Sequence, residues 1–197
     1  LVVAVLLLRT EAATLGRSFL ARACVRPPTA RSWLITVPLL LLAFALIAGA
    51  TQLSAPLMRA VGFRVPDYMP FFLNPAIDPM KSDLATVLPG LPVRGNLVPV
   101  FVVGVTLLLN ILAEELYFRA WMLPKLSRYG SRAWLLNGLL FAFYHSFQLW
   151  LLPTLLVAGL AMGWICQRTR SILPTLIGHL IVNFVFSIVG MLALQWR

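Results

Sequence analysis

Six residues stand out by type and spacing. Glu114, Glu115 and Arg119 form a Glu-Glu-x-x-x-Arg run, His145 follows Phe141 by four positions, and His179 and Asn183 are again four apart. A carboxylate beside an imidazole in a low-dielectric site can take a proton from water and return it later, which is the work of a general base and acid. A second imidazole and a carboxamide can donate hydrogen bonds to a developing oxyanion. Together these groups have the composition of a hydrolase centre. Glu114, His145 and His179 are also three ligands of the kind that hold one divalent metal, such as zinc, with a position open for water. No His-Glu-x-x-His run occurs, so a zincin-type helix is excluded.

These groups need elements that hold them, and those elements are predicted to lie in lipid. Sixty per cent of the residues are hydrophobic and 11% are charged, a balance far from that of a soluble domain. Runs such as 33–50 and 97–113 are long enough to cross a hydrocarbon core about 30 Å thick. Lipid offers backbone amides no partner, and no series of short alternating segments suggests a barrel, so the fold class is an all-α, polytopic transmembrane helix bundle. The predicted order is an apolar stub (1–8), a basic loop (9–32), helix B near 33–50 and a long connection (51–96). Helices C near 97–122, D near 133–148, E near 150–167 and F near 172–195 follow. The stub is expected to end a helix that begins before Leu1. Two units result: an N-terminal membrane region over 1–96 and a catalytic bundle over 97–197.

The connection is rich in proline, with Asp67, Asp78 and Asp83 and the aromatics Tyr68, Phe71 and Phe72. It is expected to lie at the membrane surface, with room for a short amphipathic helix. Gly159 and Gly163 on helix E predict close helix packing. With two cysteines, Cys24 and Cys166, no disulfide framework is expected.

The net charge of +10 lacks the aromatic-basic interleaving of a nucleic-acid surface, so nucleic acid is not an expected partner. The basic residues sit in loops. Arg9, Arg17, Arg22, Arg26 and Arg31 fall in the first loop, and Lys125, Arg128, Arg132, Arg168 and Arg170 in two later ones. Alternating the spans puts all ten on one side, which the positive-inside rule makes cytoplasmic. At 1.5 Å per residue Glu114 and His179 then lie roughly 12 Å deep, and His145 and Asn183 roughly 18–20 Å. Ionisable groups at such depth are costly and are usually kept for function.

Spacing refines the roles. Glu115 and Arg119 are i,i+4 and can pair, whereas Glu114 points about 100° away and is free for another task. Phe141 can pack beside His145, and His179 shares a face with Asn183. Asn110 and Asn137 read as helix glue. A proton-coupled transporter and a non-catalytic scaffold also use buried polar groups, although the interrupted helices of an inverted-repeat transporter are not evident. Ser146 and Cys166 have no base and orienting group on the same helix face, so neither reads as a nucleophile.

In order and spacing, Glu114-Glu115-x-x-x-Arg119, Phe141-x-x-x-His145 and His179-x-x-x-Asn183 resemble the CAAX protease and bacteriocin-processing (Abi) family of intramembrane endopeptidases, over about 98–187. The resemblance implies peptide-bond hydrolysis in or at the bilayer, with Glu114 and His145 activating water and His179 and Asn183 stabilising the oxyanion. Glu115 and Arg119 complete the first motif and shape the site. It is compatible both with a metal-free glutamate mechanism, which needs no cofactor, and with one divalent metal held by Glu114, His145 and His179. It implies as partners membrane lipid and a peptide or protein substrate at the bilayer, either a prenylated CAAX protein or a bacteriocin-related one. The expected location is a multi-pass position in a bacterial inner (plasma) membrane.

Overall fold

The computed structural model describes residues 1–69, 74, 77 and 95–195, and every regular element among them is helical. Helix α1 (Val2–Thr14) and the short α2 (Phe19–Arg22) lead into α3 (Ala30–Ala60). Helix α4 (Val98–Glu114) continues as a π-helical stretch (Glu115–Met122) and a last α turn (Leu123–Lys125). A 3₁₀ segment (Leu126–Arg132) turns the chain at Gly130, whose φ of 59° and ψ of −134° suit a residue without a Cβ, into α5 (Ala133–Tyr144). A second 3₁₀ segment (Ser146–Leu151) precedes α6 (Leu152–Thr169), which is followed by α7 (Leu173–His179), another π-helical stretch (Leu180–Val185) and α8 (Phe186–Gln195).

Local chemistry explains many of these boundaries. The Ser18 and Thr29 hydroxyls accept from Ala21 and Ser32 amides at the starts of α2 and α3. α4, α6 and α7 each carry proline in their first turn, where a missing N–H costs nothing.

Four helical stretches are long and apolar enough to cross a membrane: Ala30–Ala60, Val98–Tyr144, Ser146–Thr169 and Leu173–Ala193. The second is folded back at Gly130 into the α4 and α5 arms. Their outer faces carry Leu34, Leu41, Phe101, Val102 and Val189, each more than half exposed, an arrangement stable only against lipid. The chain is an all-α polytopic membrane bundle.

Three boundaries differ from the sequence-based expectation. Helix α1 runs to Thr14 rather than ending near 8, so Arg9 lies in a helix, and α2 falls within the expected loop 9–32. Residues 51–60 are helical and extend α3 to 31 residues, about 46 Å at 1.5 Å per residue. Their partner is α6: the Ser54 and Thr154 hydroxyls lie 2.6 Å apart, and the Thr154 amide donates to Ser54 at 3.1 Å. Helix α5 ends at Tyr144 rather than near 148, because the chain leaves helical geometry at His145 and again at Gln148 (φ −127°, ψ 50°). The expected interfacial stretch with Phe71, Phe72, Asp78 and Asp83 lies outside the described residues.

Helices α5 and α6 approach until their backbones touch. A Cβ on Gly138 would stand 2.7 Å from the Leu160 nitrogen, one on Gly159 would stand 2.6 Å from the Gly138 carbonyl oxygen, and one on Gly163 would stand 3.0 Å from the Trp134 carbonyl oxygen. The glycine pair on α6 is thus a packing device, and it fixes where the end of α5 delivers His145.

The three basic loops meet at one end of the bundle. Glu11 accepts from Trp121 and from Arg22, each at 2.9 Å, and pairs with Lys125 at 2.5 Å. Arg22 also donates to the Ala120 carbonyl at 2.8 Å, while Arg26 donates to the Arg170 carbonyl at 2.9 Å. The Ser171 hydroxyl donates back to Arg26 at 2.6 Å, and Gln167 donates to Ser131 at 3.2 Å.

Candidate active site

Glu114 ends the α part of α4, and both of its oxygens face imidazoles. Oε1 lies 3.3 Å from Nε2 of His145, and Oε2 lies 3.7 Å from Nε2 of His179. Oε1 also accepts from the Asn110 carboxamide, one turn earlier, at 2.7 Å. Glu114, His145 and His179 are 4%, 7% and 4% exposed, so this meeting of ionisable groups takes place inside the bundle.

The far side of each ring is anchored. His145 points Nδ1 at the Phe141 carbonyl, 2.9 Å away, and a carbonyl only accepts, so that nitrogen carries a hydrogen. His179 points Nδ1 at Glu115, 3.1 Å away, and Glu115 also accepts from the Thr175 hydroxyl at 2.7 Å. With both Nδ1 atoms engaged as donors, each Nε2 is turned toward Glu114. Two bare imidazole nitrogens and an ionised carboxylate would present only lone pairs to one another, so a proton on any one of the three is a hydrogen-bond donor to its neighbour. Such a centre can accept one proton and give one back.

The π-helical stretches begin directly after Glu114 and directly after His179, where such geometry is often found at functional sites. They change what spacing implies. The expected Arg119–Glu115 pair forms at the outer limit of an ion pair, Nε standing 4.0 Å from Oε1, while the guanidinium lies 4.3 Å over the Phe141 ring. Glu115 spends its oxygens on His179 and Thr175 instead. Asn183, expected on the same face as His179, sits in the second π stretch, where it is exposed and lines the cavity beside the histidines.

That cavity, about 290 Å³, is walled by Glu114, His145, His179 and Asn183, with Asn110 and Gln148 adding polar groups. Ile47 and Thr51 of α3 join the same wall, so the site draws on the chain before residue 97 as well as after it. Glu114 also borders a second opening lined by Tyr117, Phe118 and Tyr144. Phe141 packs on His145 at 4.8 Å between centroids, as its spacing predicts.

The set expected to converge therefore largely does: Glu114, Glu115, His145 and His179 touch, Arg119 stands behind Phe141, and Asn183 faces the cavity. Asn110 and Thr175 are partners of these groups that were not singled out for chemistry. Each stands four residues before a motif residue, Glu114 or His179, and that spacing was the signal available. Asn137 donates to the Phe118 carbonyl at 2.8 Å and joins two helices, as helix glue does.

The donor types at Glu114, His145 and His179 suit a divalent metal. The carboxylate and the two imidazoles already face one another there, Oε1 3.3 Å from the His145 Nε2 and Oε2 3.7 Å from the His179 Nε2. These three residues would hold such an ion, which would supply a polarised water; no step below is routed through one.

Residues 96–185 match the family model described as type II CAAX prenyl endopeptidase Rce1-like. No curated protein and no solved structure matches the chain.

Proposed function

We propose that this chain, whose residues 96–185 match the type II CAAX prenyl endopeptidase Rce1-like family model, hydrolyses a peptide bond of a membrane-associated substrate with Glu114 as the base. The observation that carries the reading is the placing of the Glu114 carboxylate between two anchored imidazoles on the wall of a polar cavity. The family match supports a membrane peptidase. The roles of individual residues, the absence of a required cofactor and the identity of the substrate are our reading.

In that reading a water molecule in the cavity gives its proton to Glu114 as its oxygen attacks the scissile carbonyl carbon. His145, held by the Phe141 carbonyl, keeps Glu114 in place and shares the proton. Asn183 across the cavity donates to the oxyanion through its carboxamide, and His179, its Nδ1–H held by Glu115, does so through a proton on Nε2. When the carbon–nitrogen bond breaks, the proton passes from the Glu114 centre to the leaving amine, so the centre ends as it began. Asn110 positions Glu114, and Thr175 positions Glu115.

A prenylated CAAX protein is the substrate class that the family description favours; a bacteriocin-related substrate is the alternative. The catalytic unit is taken as 97–197, with α3 completing its cavity. We place the basic end of the bundle in the cytoplasm of a bacterial cell because ten loop arginines and lysines gather there. Labelling a cysteine introduced at Arg128 in sealed inside-out and right-side-out vesicles tests that placement, and labelling from the outside alone would reverse it.

The test of the function is cleavage of a prenylated CAAX peptide by the purified protein in lipid nanodiscs, before and after exhaustive chelation. Cleavage that survives chelation is expected. Loss on chelation with recovery on adding zinc would replace the metal-free step, and proton flux in vesicles without any cleavage would favour a transporter.

A further inference from the structure

The bundle holds another cavity, about 370 Å³, at its basic end and separate from the one walled by the histidines. Arg26, Arg119 and Arg170 line it, and no aspartate or glutamate does. Arg119 decides how this cavity is read. It is 1% exposed, and its Nε, Nη1 and Nη2 have no hydrogen-bond partner among the described residues. Its contacts are the Phe141 ring at 4.3 Å and Glu115 at 4.0 Å, neither of which satisfies a guanidinium donor. A buried cation with unmet donors is among the costliest features a fold can keep.

Arg26 and Arg170, both exposed, line the same cavity. Arg26 is latched by Nε to the Arg170 carbonyl, which leaves its outer nitrogens for the cavity. Arg170 caps α6 in the left-handed conformation (φ 52°, ψ 33°), and Cys24, also on the cavity wall, is the other non-glycine residue with positive φ among the described residues. A guanidinium is a planar fork matched to the oxygens of phosphate and carboxylate, and it is weakly hydrated, so it pairs well in such a place.

We propose that this cavity binds an oxyanion of the phosphate class through Arg119, Arg26 and Arg170. The anion meets the unmet donors of Arg119 on the side of Phe141 and Glu115 away from Glu114. Its source is either an anionic lipid head group, since the cavity lies at the basic end of a membrane bundle, or free phosphate.

Thermal unfolding of the full chain separates the possibilities. Inorganic phosphate is titrated at constant ionic strength in phosphatidylcholine nanodiscs, and phosphatidylglycerol is titrated into the same discs without phosphate. A saturable rise in Tm is expected in at least one arm, since a ligand that binds only the folded state stabilises it. The arm that responds identifies the source. The Arg26→Gln/Arg170→Gln variant should need at least about tenfold more ligand for the same rise, a loss of about 1.4 kcal/mol in binding. No rise in either arm, or equal rises in parent and variant, would overturn the proposal. Should the variant fail to fold, alkylation of Cys24 by iodoacetamide in the parent protein replaces it: a rate slowed about tenfold by the responding ligand supports the site, and an unchanged rate overturns it.

Discussion

His179 donates Nδ1–H to Glu115 at 3.1 Å, and this bond turns its other nitrogen toward Glu114. The two adjacent glutamates thus do different work. Glu115, wholly buried, orients an imidazole, while Glu114 faces the cavity.

Glu115→Gln should lower both stability and rate. A carboxamide has one acceptor oxygen, so it cannot accept from both Thr175 and His179 as the two carboxylate oxygens do, and it no longer balances the Arg119 charge nearby; removing one member of a buried ionic group costs about 3–5 kcal/mol. Thermal unfolding in detergent and cleavage kinetics on the same sample check this. A variant with parental Tm and rate would show that Glu115 does not hold His179 in any way that matters.

Asn110→Ala should leave the fold intact and lower kcat/KM about tenfold, the scale of one hydrogen bond to a charged group. The carboxamide donates to Glu114 at 2.7 Å, so the loss should fall on kcat rather than KM. A change confined to KM would point instead to a role in substrate binding.

Gly138→Ala should destabilise the bundle by about 1–3 kcal/mol, the usual cost of overpacking. Its new methyl would meet backbone atoms of Gly159 and Leu160 below 3 Å, and backbone has no rotamer by which to yield. Unfolding midpoints of the parent and variant in one detergent check the value.

Glu11 lies outside the spans. Burial works to raise its pKa, yet hydrogen bonds from Lys125, Arg22 and Trp121 overcome this and hold it at about 2, against an ordinary 4.5. A carboxyl depressed in the folded state contributes stability that is fully present above pH 4.5 and is lost as pH falls toward 2. The Tm difference between the parent and Glu11→Gln should therefore be constant above pH 4.5 and shrink below it. A gap that stays constant down to pH 2.5 would contradict this account of the clamp.

Much of the architecture was legible because lipid imposes simple rules: apolar length marks the spans, and basic residues mark one end. The site was legible because few ionisable residues are left inside those spans. What escaped the sequence was local geometry. The π-helical stretches after Glu114 and His179 altered the 100° arithmetic, so Arg119 lies over Phe141 rather than tightly on Glu115, and Glu115 is free to hold His179. The break at His145 was hidden because Ser146–Leu151 is as apolar as a helix. The length of α3 was hidden because its last turns are stabilised by Thr154, a partner 100 residues away from Ser54.

The most direct test of the account is the hydrolysis rate of Glu114→Gln, measured on protein whose unfolding midpoint matches the parent. The substitution keeps the shape and the Asn110 hydrogen bond but removes the proton acceptor, so cleavage should fall by at least about 100-fold. Cleavage of the same substrate at the parental rate by well-folded Glu114→Gln would contradict the central claim that this carboxylate activates the water.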